Sequence, residues 1–87
     1  MIYQKNKDLE YIQSDETSLA VFDPETQDTH FFDEVGIDIL NALEEPCDLQ
    51  MLLQKLCTIY DASPDEIRGD VEEFLKETVS KRVVVII

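Results

Sequence analysis

The chain has 87 residues, and its 20 Asp and Glu against 7 Lys and Arg give a formal net charge of −13. That length admits one small domain with a thin core, and an apolar share of 44% in well-patterned segments argues against disorder. The charge excludes a surface built for phosphate backbones, which needs Lys and Arg to displace counterions, and it disfavours anionic membranes.

Residues 9–14, LEYIQS, alternate weakly and predict a strand, followed by the polar turn SDET. Residues 18–22, SLAVF, predict a second strand. Asp23-Pro24 opens the next turn, because Pro24 fixes φ and Asp23 can accept hydrogen bonds from the backbone ahead. Residues 29–32, THFF, have strong β preference and predict a third strand. Three strands with short links suggest an antiparallel meander.

The period then changes to that of a helix. Asp33 is a good N-cap for a helix over about 34–44, with Val35, Ile37, Leu40 and Leu43 as its stripe and Ile39 widening it. Gly36 in the first turn disfavours helix by roughly 1 kcal/mol relative to alanine and suggests close backbone packing. Pro46 ends the segment. Asp48 caps a second helix over about 49–60, with Leu49, Leu52, Leu53, Leu56 and Tyr60 on one face. Ser63-Pro64-Asp65-Glu66 is a capping-box signature for a third helix to about residue 80. Ile67, Val71, Phe74, Leu75, Thr78 and Val79 share a face of that helix, and Glu72–Lys76 and Glu77–Lys81 are spaced for pairing on the other. The tail VVVII is β-prone and stays exposed unless it pairs, which makes a dimer or a swapped strand an open option. The expected fold class is α+β, a three-stranded antiparallel sheet followed by three helices, in one domain over residues 1–87.

Little here can carry catalysis. His30, the sole histidine, sits in a predicted strand with no nucleophile motif near it. Alternation puts His30 and Phe32 on one face and Phe31 on the other. Cys47 and Cys57 form neither a disulfide framework nor a zinc set, so reduced structural cysteines are expected. The turn DPETQD lacks the glycine and terminal glutamate of a calcium loop, and two glycines cannot build a phosphate loop. No metal, no cofactor and no catalytic residue are expected. Acidic carrier proteins of this size hold a prosthetic group on a serine at a helix start. Ser14, Ser18, Ser63 and Ser80 do not fit that pattern. The opening residues lack the apolar segment of a secretory signal, and no stretch nears the roughly 18–20 apolar residues of a membrane span. The expected location is the cytoplasm, with no membrane partner.

Binding is the better expectation. A small open sheet has a free edge able to accept another strand. Glu10, Asp15 and Glu16 guard the ends of the first two strands, whereas THFF carries no acid until Asp33. Residues 1–47 hold 12 acids against Lys5 and Lys7, a net of −10, while residues 48–87 hold 8 against five bases, a net of −3. Such a field attracts a basic peptide or protein and speeds its encounter, although the same acidity also simply keeps a small protein soluble.

Residues 9–80 resemble the PqqD-like family, winged-helix-like recognition elements for ribosomally made, post-translationally modified peptides. SLAVFDPETQDTHFF is similar to the family's strand–turn–strand hairpin. DEVGIDILNAL resembles its helix entered through a polar residue and glycine. An apolar helix ending at Tyr60, a short loop, and the pairs Asp70-Val71 and Phe74-Leu75 resemble its close. Two departures stand out: Pro46-Cys47-Asp48 where the family usually has a glycine, and Lys81-Arg82 where it has Gly-Leu. The resemblance implies a non-catalytic protein. It implies that the leader segment of a precursor peptide adds as a strand beside the third strand, in a groove against the third helix. Carried over, that groove has Thr29, His30, Phe31 and Phe32 on one side and Ile67, Arg68, Val71, Phe74 and Leu75 on the other. Val71 or Leu75 is expected at its margin and Phe74 mainly in the core. The implied partners are the leader and a modifying or maturation enzyme, of radical-SAM or protease-like type as in lasso-peptide clusters. Two other readings stand beside this one. An acidic adaptor or inhibitor would bind a basic protein partner. A DNA-binding winged helix is permitted by shape and opposed by charge.

Overall fold

The computed structural model describes residues 1–87. Eight elements follow one another: β1 (Tyr3–Lys5), β2 (Glu10–Asp15), β3 (Ser18–Asp23), β4 (Asp28–Phe32), α1 (Glu34–Ala42), α2 (Leu49–Ile59), α3 (Pro64–Ser80) and β5 (Val84–Ile86). The expected α+β order of meander and three helices is present, with one strand more at each end.

β2, β3 and β4 form an antiparallel sheet in that order. The register aligns Val21 with Tyr11 and His30, and Ala20 with Ile12 and Phe31. Because side chains alternate along a strand, Leu19, Val21, His30 and Phe32 face the helices while Ile12, Ala20 and Phe31 face outward. Val21 is fully buried, whereas Phe31 is 78% and Ile12 62% exposed. One face of the sheet therefore supplies core and the other meets solvent.

Both aspartate caps form as the sequence predicts. The Asp33 carboxylate accepts the Gly36 N–H at 3.0 Å and the Asp48 carboxylate accepts the Met51 N–H at 2.8 Å. Ser63 differs, because its hydroxyl donates to the Glu66 carboxylate at 3.2 Å and accepts no amide. The spaced pairs Glu72–Lys76 and Glu77–Lys81 do not close either. The ion pairs present are Lys5–Glu44 and those of Arg82 with Asp23 and Glu25. Solvent-exposed pairs of long side chains gain little against their lost rotamer freedom.

The core lies between the inner sheet face and the helices. Ile37, Ile39, Leu40 and Leu43 of α1 and its C-cap meet Leu52, Leu53 and Leu56 of α2 and Val71 and Leu75 of α3. Gly36 permits the close approach of α1 to β4: a Cβ there would lie 3.0 Å from the Phe32 Cβ.

The tail finds its partner within the chain. β5 pairs antiparallel with β1, Tyr3 opposite Ile86 and Lys5 opposite Val84. Val83, just before β5, and Val84, its first residue, are buried against the core. Tyr3 also exchanges backbone hydrogen bonds with Cys47, which ties the ribbon to the α1–α2 loop. The three-residue β1 is too short for periodicity to reveal.

α3 ends in a Schellman turn. The Val83 N–H reaches the Thr78 carbonyl at 2.9 Å and the Arg82 N–H reaches that of Val79 at 3.1 Å. Arg82 takes the left-handed position at φ 65°, where a residue with a Cβ is disfavoured by roughly 1–2 kcal/mol. The other left-handed residue, Gln27 at φ 63°, closes the β3–β4 turn.

Candidate peptide-binding groove

β2 and β4 are the two outer strands of the meander, and they are not equivalent. The β2 register shifts between Gln13 and Asp15, and a bulge with charged ends blunts an edge. β4 pairs regularly with β3 from Asp28 to Phe32, and its other edge has no strand partner. His30 and Phe32 are half-buried on the inner face, and Thr29 and Phe31 are exposed on the outer one.

Beyond the free edge lies α3. Phe32 and Phe74 meet with ring centroids 5.9 Å apart, tilted by 59°, within the range of favourable aromatic pairs. Next to this pair a cavity of about 290 Å³ opens between α1 and α3. Val35 and Ile39 come from α1, Leu56 and Tyr60 from the end of α2, and Ile67, Val71 and Phe74 from α3. Asp70 is its one charged residue. At the low end of the roughly 300–1,000 Å³ of small-molecule pockets, it suits one or two apolar side chains.

The rim is acidic. The Tyr60 hydroxyl donates to the Asp38 carboxylate. That bond, helped by burial and by the charges of Asp38, Glu34 and Asp33, pushes the phenol up to about 12. Asp33, Glu34, Asp38 and Asp70 form no ion pair. A groove of this make-up has the means to hold an extended apolar segment with neighbouring positive charge. No group of three or more His, Cys, Asp or Glu side chains comes together there to hold a metal.

Of the nine residues that the family resemblance implies, the fold gathers Phe32, Ile67, Val71 and Phe74 around the cavity or its aromatic wall, with Thr29, His30 and Phe31 along the strand. It separates two. Arg68 lies on a neighbouring flank of α3, beside Met1, Asp48 and Leu49. Leu75 is buried toward Tyr3, Leu49 and Ile86. Within α3, the buried Val71 lines the cavity, Leu75 does not, and the half-buried Phe74, expected mainly in the core, reaches the groove as well. The cause is the β1–β5 ribbon, which covers the flank of α3 that would otherwise have been free for Leu75. Val35, Ile39, Leu56 and Tyr60 were not anticipated. For Val35 and Ile39 the signal was the α1 stripe, whose span from Val35 round to Ile37 exceeds the ~100° that one helix buries against a core; Leu56 and Tyr60 had none beyond their place on the apolar face of α2. Val35, at the border of the α1 stripe, stays 51% exposed.

No helix is long and apolar enough to cross a membrane. A comparison with curated proteins finds no match. Among solved structures, TbiB1 in complex with the TbiA(beta) leader peptide shares the fold, with a TM-score of 0.80 over 93% of each chain at 18% identity. The family model of coenzyme PQQ synthesis protein D matches residues 18–84, from the start of β3 to the first residue of β5. The hairpin, the three helices and the groove between them all fall within that span, and the chain belongs to the PqqD family.

Proposed function

We propose that residues 1–87 act as a single recognition domain that binds the leader segment of a ribosomally made precursor peptide and presents it to a modifying or maturation enzyme. The observation that carries this reading is a regular β4 strand with an unpaired outer edge, linked through the Phe32–Phe74 contact to a side-chain-sized apolar cavity. Strand addition there supplies main-chain hydrogen bonds for affinity, and the cavity supplies selectivity. Support comes from the shared fold of TbiB1, which is seen in complex with a leader peptide, and from membership of the PqqD family.

The groove's chemistry narrows the peptide. One bulky apolar side chain enters the cavity against Phe74 and Val71. Lys or Arg beside it faces Asp70, Asp33 and Glu34, which have no cation of their own. The protein's role is non-catalytic and cytoplasmic. Its enzyme partner is of radical-SAM or protease-like type, and a second copy of the chain is not required to complete the groove.

A fluorescence-anisotropy titration tests this. The probes are synthetic peptides covering the N-terminal halves of any short open reading frames found beside the gene for this chain. Saturable binding at tens of micromolar or below is expected, weakened about tenfold or more by Phe74→Ala, the loss expected when a buried aromatic anchor is truncated. No binding to folded protein overturns the reading. Binding that vanishes with salt yet ignores changes in β4 would favour an acidic adaptor for a basic protein instead.

A further inference from the structure

The turn DPETQD is not an idle connection. Asp23 is 1% exposed. Its carboxylate accepts the Glu25 N–H at 2.9 Å, the Thr26 N–H at 3.4 Å and the Arg82 Nε–H at 3.0 Å. Arg82 also gives its Nη2 to the Glu25 carboxylate at 2.5 Å. One guanidinium thus grips two acids of the β3–β4 turn from 57 and 59 residues away. Arg82 is itself pinned: its carbonyl accepts the Asn6 side-chain amide at 2.8 Å, and its amide belongs to the Schellman turn of α3.

These contacts join the two walls of the groove. β4 begins just after the turn, at Asp28, and ends at Phe32, which packs on Phe74 in the middle of α3. The strand is therefore fastened to α3 at both ends, by an aromatic pair at one and by Arg82 at the other. The left-handed backbone at Arg82 points the same way. Glycine would suit that position best, yet the residue found there carries the fork that planar, two-point recognition of carboxylates needs.

We propose that Arg82 is a positioning residue: it clasps the β3–β4 turn to the C-terminal turn of α3 and so fixes the distance between the free edge of β4 and the helix across the groove. Its bearing on peptide affinity rests on the β4 reading above; the clasp itself does not.

The test compares Arg82→Gly, Arg82→Lys, Glu25→Gln and Lys81→Ala. Lys81→Ala removes one positive charge at the neighbouring residue without touching the turn. Amide hydrogen exchange, followed by mass spectrometry, is the first readout. In Arg82→Gly the segment 18–32 should exchange about tenfold faster while the α2 core segment 52–56 is unchanged, because local opening is uncoupled from global unfolding. Arg82→Lys should restore part of the protection, Glu25→Gln should show a smaller increase, and Lys81→Ala none. The second readout is titration with the leader peptide described above, where Arg82→Gly should weaken binding by a similar factor. Wild-type exchange in segment 18–32 of Arg82→Gly overturns the clasp, as does acceleration spread evenly over the whole chain. If Arg82→Gly does not fold, unchanged exchange in Glu25→Gln overturns it. A wild-type protein that fails to bind the peptide defeats the functional reading, and the exchange result still decides the clasp.

Discussion

Gly36 shows how one missing methyl group shapes the groove. An alanine Cβ would lie 3.0 Å from the Phe32 Cβ and 3.1 Å from its Cδ1, and the Phe32 Cβ cannot swing aside as a flexible side-chain end would. Gly36→Ala gains up to about 1 kcal/mol of helix propensity, but overpacking costs about 1–3 kcal/mol. The expected result is a net loss of about 1 kcal/mol in urea denaturation, with Phe32 displaced from Phe74 and leader affinity reduced several-fold. A stabilised variant with full affinity would show that Phe32 has room to move. Asp23 gives a second prediction. Burial pushes its carboxyl up, but the Glu25 and Thr26 amides and the Arg82 guanidinium outweigh that and hold it below the ordinary carboxylate value. A lowered folded value means that the stabilisation is complete above the unfolded pKa of about 3.9 and is lost as pH falls below it. Asp23→Asn should therefore lower the urea midpoint at pH 7 and differ much less from wild type near pH 2. An equal loss at both pH values would show that shape rather than charge matters there. Residue types with one strong local preference were legible before folding, as Asp33 and Asp48 show. Ser63 was not, because Glu66 competes for its hydroxyl.

Among the elements, the two outer strands of the meander give the sharpest contrast. Proline removes a ladder N–H and fixes φ, so its effect depends on what the strand's backbone does. His30→Pro or Phe31→Pro should abolish leader binding far more than alanine at the same positions, as read by peptide titration on variants whose circular dichroism is unchanged. A folded proline variant that binds normally would rule out strand addition at β4. The helices and the three-stranded meander could be read from period and caps. The β1–β5 ribbon could not, since three-residue strands have no period and their pairing spans nearly the whole chain. The ribbon also bears on two residues that the family resemblance implies for the groove: Leu75 and Arg68 face the ribbon's side of α3. Of the cavity's eight lining residues, three were thus legible, namely Ile67, Val71 and Phe74. The contribution of α1 and α2 depended on tertiary packing.

At the scale of the whole molecule, charge asymmetry acts on rates. The half that holds the sheet and α1 carries a net of −10, and its groove rim has no compensating base. A field of that kind accelerates encounter with a cationic peptide and is screened over about 8–10 Å at ordinary salt. Stopped-flow measurement should therefore find the association rate for a Lys- or Arg-bearing leader falling about tenfold or more between low and high salt, with dissociation nearly constant. A salt-insensitive association rate would leave the acidity to solubility alone.

The closure of β1 on β5 has a consequence for where the chain can begin and end. The Ile87 N–H bonds to the Ile2 carbonyl at 2.8 Å, so both ends leave the fold at one spot, across α3 from the apolar cavity. A short bridge between Ile87 and Met1 should therefore allow the chain to be reopened at the Glu16-Thr17 turn with the groove intact.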